Sequence, residues 1–590
     1  MTTATWTDAI SLGGRRWRLY PVNDGDVRAL TIATNVPDIV ARVLAARGVS
    51  PEDAPSFLHP TLRALMPDPS ALAGMDEAVA RIVQAVNAAE PIAVFGDYDV
   101  DGATSSALLK RFFRAIGIDL IVYIPDRMKE GYGPNAEAMK HLAGRGAKVV
   151  ITVDCGITAF TPLQAARDAG LDVVVVDHHK AEPTLPVAAA VVNPNRLDDT
   201  SRQGHLAAVG VAFLLVVALN RALRTSGWYT AKGVAEPDLK QWLDIVALGT
   251  VADVVPLKGL NRAFVHSGLA ILGKGGNRGL TALAKVARID TAPSAYHLGF
   301  IYGPRVNAGG RVGQADLGIR LLSTDDGDEA SALAIRLDDY NRARQEIEAA
   351  VLAEAIEQIE SKTQDDPVLF AVGDKWHPGV IGIVASRLKD RYDRPTIVIA
   401  LDGGMAKGSG RSIKGVDLGR SVLAAREAGL LINGGGHPMA AGLTVDAGKI
   451  DALRSFLNQN VREQTASGLD AAPLWLDGLL SIDGISDDLV NTLSDLEPFG
   501  SGNDEPRFAV LDAQVAKADI VGSGHVRCFL AGRGGGRLKA IAFRSADSQL
   551  GVALLNAQGR LMHLSGTIRR ETWQGRTNVQ LVIDDGMVAS

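Results

Sequence analysis

Cysteine is nearly absent: the 590 residues contain two, Cys155 and Cys528. Two thiols cannot build a disulfide framework, and such usage fits a reducing cytoplasm, the expected location. Long apolar runs are also missing. The longest, Leu206 to Leu219, has 14 residues, short of the roughly 20 that a spanning helix needs, so it reads as a buried helix. Residues 1–18 lack the apolar centre of a signal peptide. Neither export nor membrane contact is expected. There is no excess of positive charge either: 61 Lys and Arg face 67 Asp and Glu, a formal net charge of −6. That excludes a uniformly basic coat but leaves room for a local basic patch, because clustering decides nucleic-acid binding. Internal repeats and low-complexity tracts are lacking. What remains is ordinary globular composition, 47% hydrophobic and 22% charged, with length for three or four domains.

What is present falls into blocks. After a weakly patterned start, residues 75–89 show helical spacing. Apolar runs at 92–95, 120–124, 148–153, 172–176 and 188–192 then alternate with helical segments at 103–116, 135–145 and 161–169. Near-continuous apolar strands between helices predict a parallel sheet covered on both faces. A mostly helical block follows at 205–320, then an Ala-, Glu- and Arg-rich stretch that predicts one long connecting helix. Strands near 368–372 and 396–400, with a helix near 378–390, predict a second α/β domain. Short alternating strands at 507–514, 525–531, 537–543, 561–568 and 576–583 predict a small β-barrel. The expected fold class is therefore α/β multidomain. Residues 1–74 would pack on the parallel-sheet domain (75–325). The connecting helix (326–364), the smaller α/β domain (365–468) and the barrel (469–590) would follow.

The chemistry sits at predicted strand ends, where open parallel sheets gather their sites. Gly96-Asp97-Tyr98-Asp99-Val100-Asp101-Gly102 places three carboxylates within five residues. Like charges about 4 Å apart repel by about 4 kcal/mol at an effective dielectric of 20, so a bound cation is the simplest way to keep such a group together. Asp154, before Gly156, reads alone equally well as a helix cap or a ligand. Asp177-His178-His179 follows four valines and adds nitrogen donors to hard oxygens. One imidazole can bind metal while a carboxylate orients it through the other ring nitrogen. Asp253, in Thr250-Val251-Ala252-Asp253, can cap or coordinate. Cys155, among acids, does not read as a nucleophile.

In this order, Gly-Asp-Tyr-Asp-Val-Asp-Gly, Val-Asp-Cys-Gly, Asp-His-His and Thr-Val-Ala-Asp-Val-Val-Pro resemble the DHH phosphoesterase superfamily, closest to the RecJ family of bacterial single-strand-specific exonucleases. Gly303-Pro304-Arg305-Val306-Asn307-Ala308-Gly309-Gly310-Arg311 and Gly434-Gly435-Gly436-His437 extend the resemblance from about residue 70 to the end. One departure is Gly309, where the family pattern usually has alanine.

The resemblance implies a DHH domain, a DHH-associated domain and a C-terminal OB-fold. It implies a metal set of Asp97, Asp99, Asp101, Asp154, His178, His179 and Asp253, with Asp99, Asp154 and His179 closest to catalysis. Two ions are implied, Mn²⁺ or Mg²⁺, and mixed carboxylate and imidazole donors suit Mn²⁺. Two such ions clamp a phosphodiester and activate water without a protein nucleophile. Ser409, Arg411, Gly436 and His437 would hold a 5′ phosphate, with Arg127, Arg305 and Arg311 on the strand backbone. Phe499, Phe508, Phe529, Arg544 and Trp573 are barrel candidates for the strand, the aromatics equally readable as core. The implied activity is 5′→3′ hydrolysis of single-stranded DNA in recombination and repair, by a monomer that works with a helicase and a single-strand-binding protein. A short-oligonucleotide or nucleotide phosphatase of the same superfamily and a catalytically inactive replication scaffold are the alternatives. The barrel argues against the first and the retained acids against the second.

Overall fold

A computed structural model describes residues 6, 9–127, 129–361, 366–466, 473–573 and 576–589, without the side chains of 572–577. Its first sheet is parallel throughout. The strands lie in the order Ile121–Tyr123, Ile92–Gly96, Val149–Val153, Asp172–Val176, Ala190–Val192. Alternation of side chains across the sheet explains why these strands read as unbroken apolar runs. Ile92, Val94, Ile151, Val153, Val174 and Val176 enter one core. Ala93, Phe95, Val150, Val173 and Val175 enter another on the opposite face. Both faces are covered, so these positions are apolar apart from the buried Thr152 and from Asp172 at a strand start.

The pairing register sets up the site. Gly96, Val153, Val176 and Val192 stand side by side in one row across the sheet. The residues that follow them are Asp97, Asp154, Asp177 and Asn193. All four emerge at the carboxyl edge.

The apolar run at 206–219 lies largely within the helix Ala208–Thr225. That helix is long and apolar enough to cross a membrane, but 72% of it is buried within the protein, in the core beside the helix Val100–Ala115. The connecting helix, Gly327–Glu360, runs for 34 residues from its Asp326 cap, roughly 50 Å. Leu333, Ala334 and Leu337 join the core of the first domain. Val351, Ala355 and Ile359 join that of the second. The helix is thus shared core rather than a free linker.

The second domain carries a mixed sheet in the order Asn433–His437, Ala440–Asp446, Met405–Arg411, Thr396–Asp402, Leu369–Asp374, parallel only in the last pair. In the third, Arg507–Val521, His525–Ala531, Arg537–Ala542, Arg576–Val588 and Leu561–Trp573 form a ring that closes where the first pairs with the last.

The expectation that residues 1–74 pack on the parallel-sheet domain is corrected for most of that segment. Trp17–Leu19 pairs in parallel with Leu474–Leu476 at the foot of the barrel. Val27, Leu30, Val40, Val43 and Leu44 enter the barrel's own core. The short helix Leu62–Leu65 turns back to the first domain, against the helix Gly259–Leu272. An apolar helix face requires burial but does not name its partner, because the hydrophobic effect has no direction.

Candidate metal centre

Five carboxylates converge at the carboxyl edge of the parallel sheet. Asp97, Asp101 and Asp154 are buried, at 3%, 1% and 2% exposure, and Asp99 and Asp253 are partly so. Asp97 and Asp154 continue the central strands, each with its backbone N–H on the neighbouring strand, at 3.3 Å to the Val153 carbonyl and 3.1 Å to the Val176 carbonyl. Asp99 caps the helix Val100–Ala115 with one oxygen, which accepts from the N–H groups of Asp101, 2.9 Å, and Gly102, 3.1 Å. Asp99 also offers a carboxylate oxygen within 4.8 Å of ligand atoms of Asp97 and Asp154. Asp101 faces the start of the helix Ala208–Thr225 and accepts from Ala208 at 2.6 Å and Val209 at 2.9 Å. Asp253 ends the helix Leu243–Ala252. A Cβ at Gly102 would lie 2.4 Å from the Asp97 carbonyl oxygen, so only glycine lets the acidic turn close onto its helix.

These acids repel one another. Burial, then the Asp99 charge, pushes Asp97 up to about 8 and Asp253 up to about 7. Burial, then neighbouring carboxylates, drives Asp101 and Asp154 well above the usual range. The histidines supply complementary donors. His178 Nδ1 lies 3.1 Å from the Leu206 carbonyl, which fixes that nitrogen as the N–H. Burial, then the His179 charge, lowers the ring to about 4 and keeps it neutral. Its bare Nε2 lies 3.3 Å from Asp154, 3.6 Å from Asp253 and 3.9 Å from Asp101. His179 Nδ1 sits 2.7 Å from Asp177 Oδ1. Burial alone would raise the Asp177 carboxyl. The His179 contact and backbone N–H groups of Ile157 and His179 hold it below its usual value. Asp177 thus holds the His179 ring through Nδ1.

Potential ligand atoms lie within 4.8 Å of one another in three overlapping groups: Asp97, Asp99, Asp154; Asp154, His178, His179; and Asp101, His178, Asp253. Asp154 and His178 each belong to two. Asp97 Oδ1 and His178 Nε2 are buried with no hydrogen-bond partner. Hard oxygens, a neutral imidazole and orphaned acceptors are the donor set a divalent cation fits.

Comparison with known proteins agrees with this geometry. The model of the DHH family, N-terminal domain, matches residues 91–250, the DHHA1 domain 365–463 and the RecJ OB domain 476–585. The chain is 36% identical to the single-stranded-DNA-specific exonuclease RecJ of Escherichia coli over 94% of this chain and 96% of that one. It is 36% identical to the Bacillus subtilis protein of the same name over 97% of this chain and 71% of that one. The chain belongs to the RecJ family. A crystal structure of Thermus thermophilus RecJ in complex with Mn²⁺ matches 98% of this chain and 80% of that chain, with a TM-score of 0.81 and 30% identity. A second, in complex with Mg²⁺, matches 98% of this chain and 79% of that chain, with a TM-score of 0.75 and 29% identity.

Three of the arginines expected at the substrate form a second group between the two α/β domains. Arg127 lies over the Tyr98 ring at 5.1 Å, and Arg311 donates to the Gly379 carbonyl at 3.1 Å. Arg411 donates to Ser409 Oγ at 3.2 Å and to the Gly410 carbonyl at 2.8 Å. Burial, then the Arg127 and Arg344 charges, pulls Arg311 down to about 10. Burial, then Arg127, lowers Arg411 and His377. Among the described residues none of the three arginines has a carboxylate within ion-pair distance. Gly436 lies in the edge strand Asn433–His437, and His437 is exposed at its end. Arg305 is engaged elsewhere, by Asp338 and the Ile301 carbonyl, each at 2.9 Å. The departure at Gly309 has a local reason: a Cβ there would lie 2.5 Å from the Gln314 carbonyl oxygen.

Some residues escaped the sequence reading. Asn193 and Asn195 hold the His179 and His178 carbonyls, at 2.9 and 2.5 Å. Asn193 occupies the same strand-end row as the aspartates, a signal available from register. His377-Pro378-Gly379 leads into the helix Ile381–Tyr392. A Cβ at Gly382 would stand 3.1 Å from both Ser409 Oγ and Arg411 Nη2, so the helix start lies against the phosphate pocket that the motifs suggest. Of the barrel candidates, Phe508 is core, Phe499 packs against it, Phe529 is 41% exposed and Arg544 is exposed. The Trp573 side chain lies outside the described residues.

Proposed function

We infer that this chain is a metal-dependent single-stranded-DNA exonuclease that works 5′→3′ in recombination and repair. The observation that carries the reading is the pairing of five converging carboxylates with nearby arginines that have no carboxylate partner among the described residues. Asp97, Asp99 and Asp154 would hold one cation; Asp101, His178 and Asp253 would hold a second, with Asp154 and His178 between them. When bound, Mn²⁺ or Mg²⁺ supplies positive charge for the phosphodiester and lowers the pKa of a water.

The chain's own groups do the rest. Neutral His178 presents Nε2 because the Leu206 carbonyl holds its other nitrogen. His179, steadied by Asp177, can hold a proton at Nε2 and give it to the leaving oxygen. Arg127 and Arg311 would grip the backbone phosphate. Arg411, Ser409, Gly436, His437 and the N–H groups opening the helix Ile381–Tyr392 would hold the 5′ phosphate, where the helix dipole adds to the charge. Arg305, tied to Asp338, would support this side from within the fold. The barrel would carry the downstream strand. A helicase and a single-strand-binding protein are the partners this reading calls for, with the enzyme a cytoplasmic monomer.

A digestion time course on 5′- and 3′-labelled strands, with Mn²⁺, Mg²⁺ or chelator, tests the reading. The 5′ label should be released first, and chelator should stop release. Loss of the 3′ label first, or equal digestion of blunt duplex, would contradict it.

A further inference from the structure

The acidic centre and the suggested phosphate pocket stand on different domains, and one helix carries both. Gly327–Glu360 takes Arg305 of the first domain through Asp338, at 2.9 Å. About 15 Å further along its axis it presents Glu348, which is 2% exposed. One Glu348 oxygen accepts from Arg344 Nη1 at 2.6 Å. Arg344 is itself buried and also donates to Asn341 Oδ1, at 2.9 Å. The other Glu348 oxygen makes an ion pair with Arg387 Nε, from the helix Ile381–Tyr392 of the second domain. A buried carboxylate is thus shared between a guanidinium of its own helix and one of the neighbouring domain. Glu360 and Arg391 pair further along the same two helices, but both side chains are half exposed, where such pairs contribute little.

The partner helix is the one that opens on Ser409 and Arg411. Just before it, a Cβ at Gly379 would lie 2.6 Å from the Arg311 carbonyl oxygen, so the two domains meet closely there. Otherwise the connecting helix meets this one through apolar side chains: Val351 and Ala355 share a core with Val384, Ala385 and Leu388. Apolar contact is non-directional and sets no exact register. A carboxylate held between two guanidiniums does, because charge-assisted hydrogen bonds fix geometry.

We propose that Glu348 and Arg387 are positioning residues that hold the phosphate pocket at its working distance from the acidic centre. The pair fixes the helix Ile381–Tyr392 in one register on the connecting helix. A 5′ phosphate seated at Arg411 then brings the scissile phosphodiester to the carboxylates. The proposal rests on the reading of Ser409 and Arg411 as the 5′-phosphate pocket. It adds that end preference depends on an ion pair that belongs to neither the pocket nor the centre.

Digestion of 5′-phosphorylated and 5′-hydroxyl strands by the full chain tests it, read as the ratio of the two rates at saturating Mn²⁺. Arg387→Met removes the inter-domain partner and leaves Arg344 on Glu348. It should lower the ratio by about 10-fold, since a misplacement of about 1 Å from a change far from the chemistry can cost about 10²-fold. Glu348→Gln, which leaves Arg387 in place, should lower the ratio as far. Glu348→Asp decides in its stead if loss of the buried Arg344 counter-charge prevents folding. In each variant the rate on hydroxyl ends and the Mn²⁺ isotherm should stay close to wild type, whereas a general loss of folded protein would lower both rates together. Arg387→Lys, which keeps the charge, should retain most of the ratio. Added to Arg411→Ala, Arg387→Met should produce no further fall, because both act through one pocket. A folded Arg387→Met with the wild-type ratio would overturn the proposal. So would a fall confined to Arg387→Met, which would make Arg387 a direct contact to the strand. Wild-type protein with equal rates on both ends would instead overturn the phosphate-pocket reading beneath it.

Discussion

The acidic centre and the arginine group are opposites in charge and alike in construction. In one, Asp97, Asp101, Asp154 and Asp253 are pushed up by burial and by one another. In the other, Arg311 and Arg411 are pulled down by burial and by Arg127. Each region gathers charges of one sign in a poorly solvated place, which is unfavourable until an opposite charge arrives. They differ in how they are built. Asp97 and Asp154 stand on adjacent strand ends and Asp99, Asp101 and Asp253 at helix ends, and oxygens of Asp99 and Asp101 are fixed by backbone N–H groups. The arginines reach on long side chains from two domains. A cation site needs fixed ligand geometry; a strand that must move through needs charge at adjustable reach.

That contrast breaks first, and most severely, at Asp154, which both the Asp97 and the His178 groups share. Asp154→Asn should lower the rate at saturating Mn²⁺ by at least about 10³-fold, or about 4 kcal/mol, with reduced Mn²⁺ uptake by calorimetry. A variant within tenfold of wild type would mean that the acidic row is not the reacting centre. Arg411→Ala should act on the other side and less strongly. Loss of a charge-assisted contact of about 1.5–3 kcal/mol corresponds to roughly 10–100-fold, and it should fall on 5′-phosphorylated ends rather than on Mn²⁺ dependence. The check is the ratio of rates on phosphorylated and hydroxyl ends. An unchanged ratio would remove Arg411 from the phosphate pocket.

The two regions were also unequally legible. Apolar runs ending in Asp97, Asp154 and Asp177 carry their own signal, because a covered parallel strand leaves only its end free to be polar. Register then aligns those ends without further information. The arginines carry no such signal. Arg305 and Arg311 belong to one motif, yet Asp338 of the connecting helix takes Arg305, and Arg311 has no carboxylate partner among the described residues. Which one is taken depends on a packing partner far along the chain. The Leu206 carbonyl, which holds His178, was hidden for the same reason: backbone carbonyls leave no mark in a sequence. The placement of residues 17–58 on the barrel was likewise invisible, since their helices announce an apolar face but not what covers it.

The smallest effect sharpens the comparison through pH. Without cation, Asp97 and Asp253 titrate near 8 and 7 in the folded chain, against about 4 when unfolded. The folded state then binds more protons than the unfolded state between these values. Stability contributed by these protonated acids is fully present below about 4 and lost as pH rises through 7 to 8. In chelator, the first domain should therefore melt lower at pH 8 than at pH 6, by roughly 2–5 °C. Mn²⁺ replaces those protons, so its stabilising shift should be larger at pH 8. The arginine group predicts no such slope here, because its lowered guanidinium, near 10 at Arg311, still carries its proton throughout this range. Scanning fluorimetry at both pH values, with and without Mn²⁺, separates the two regions. Asp154→Asn should flatten the Mn²⁺ response, and Arg411→Ala should leave it intact. If Arg411→Ala flattened it as well, the two regions would form one electrostatic unit.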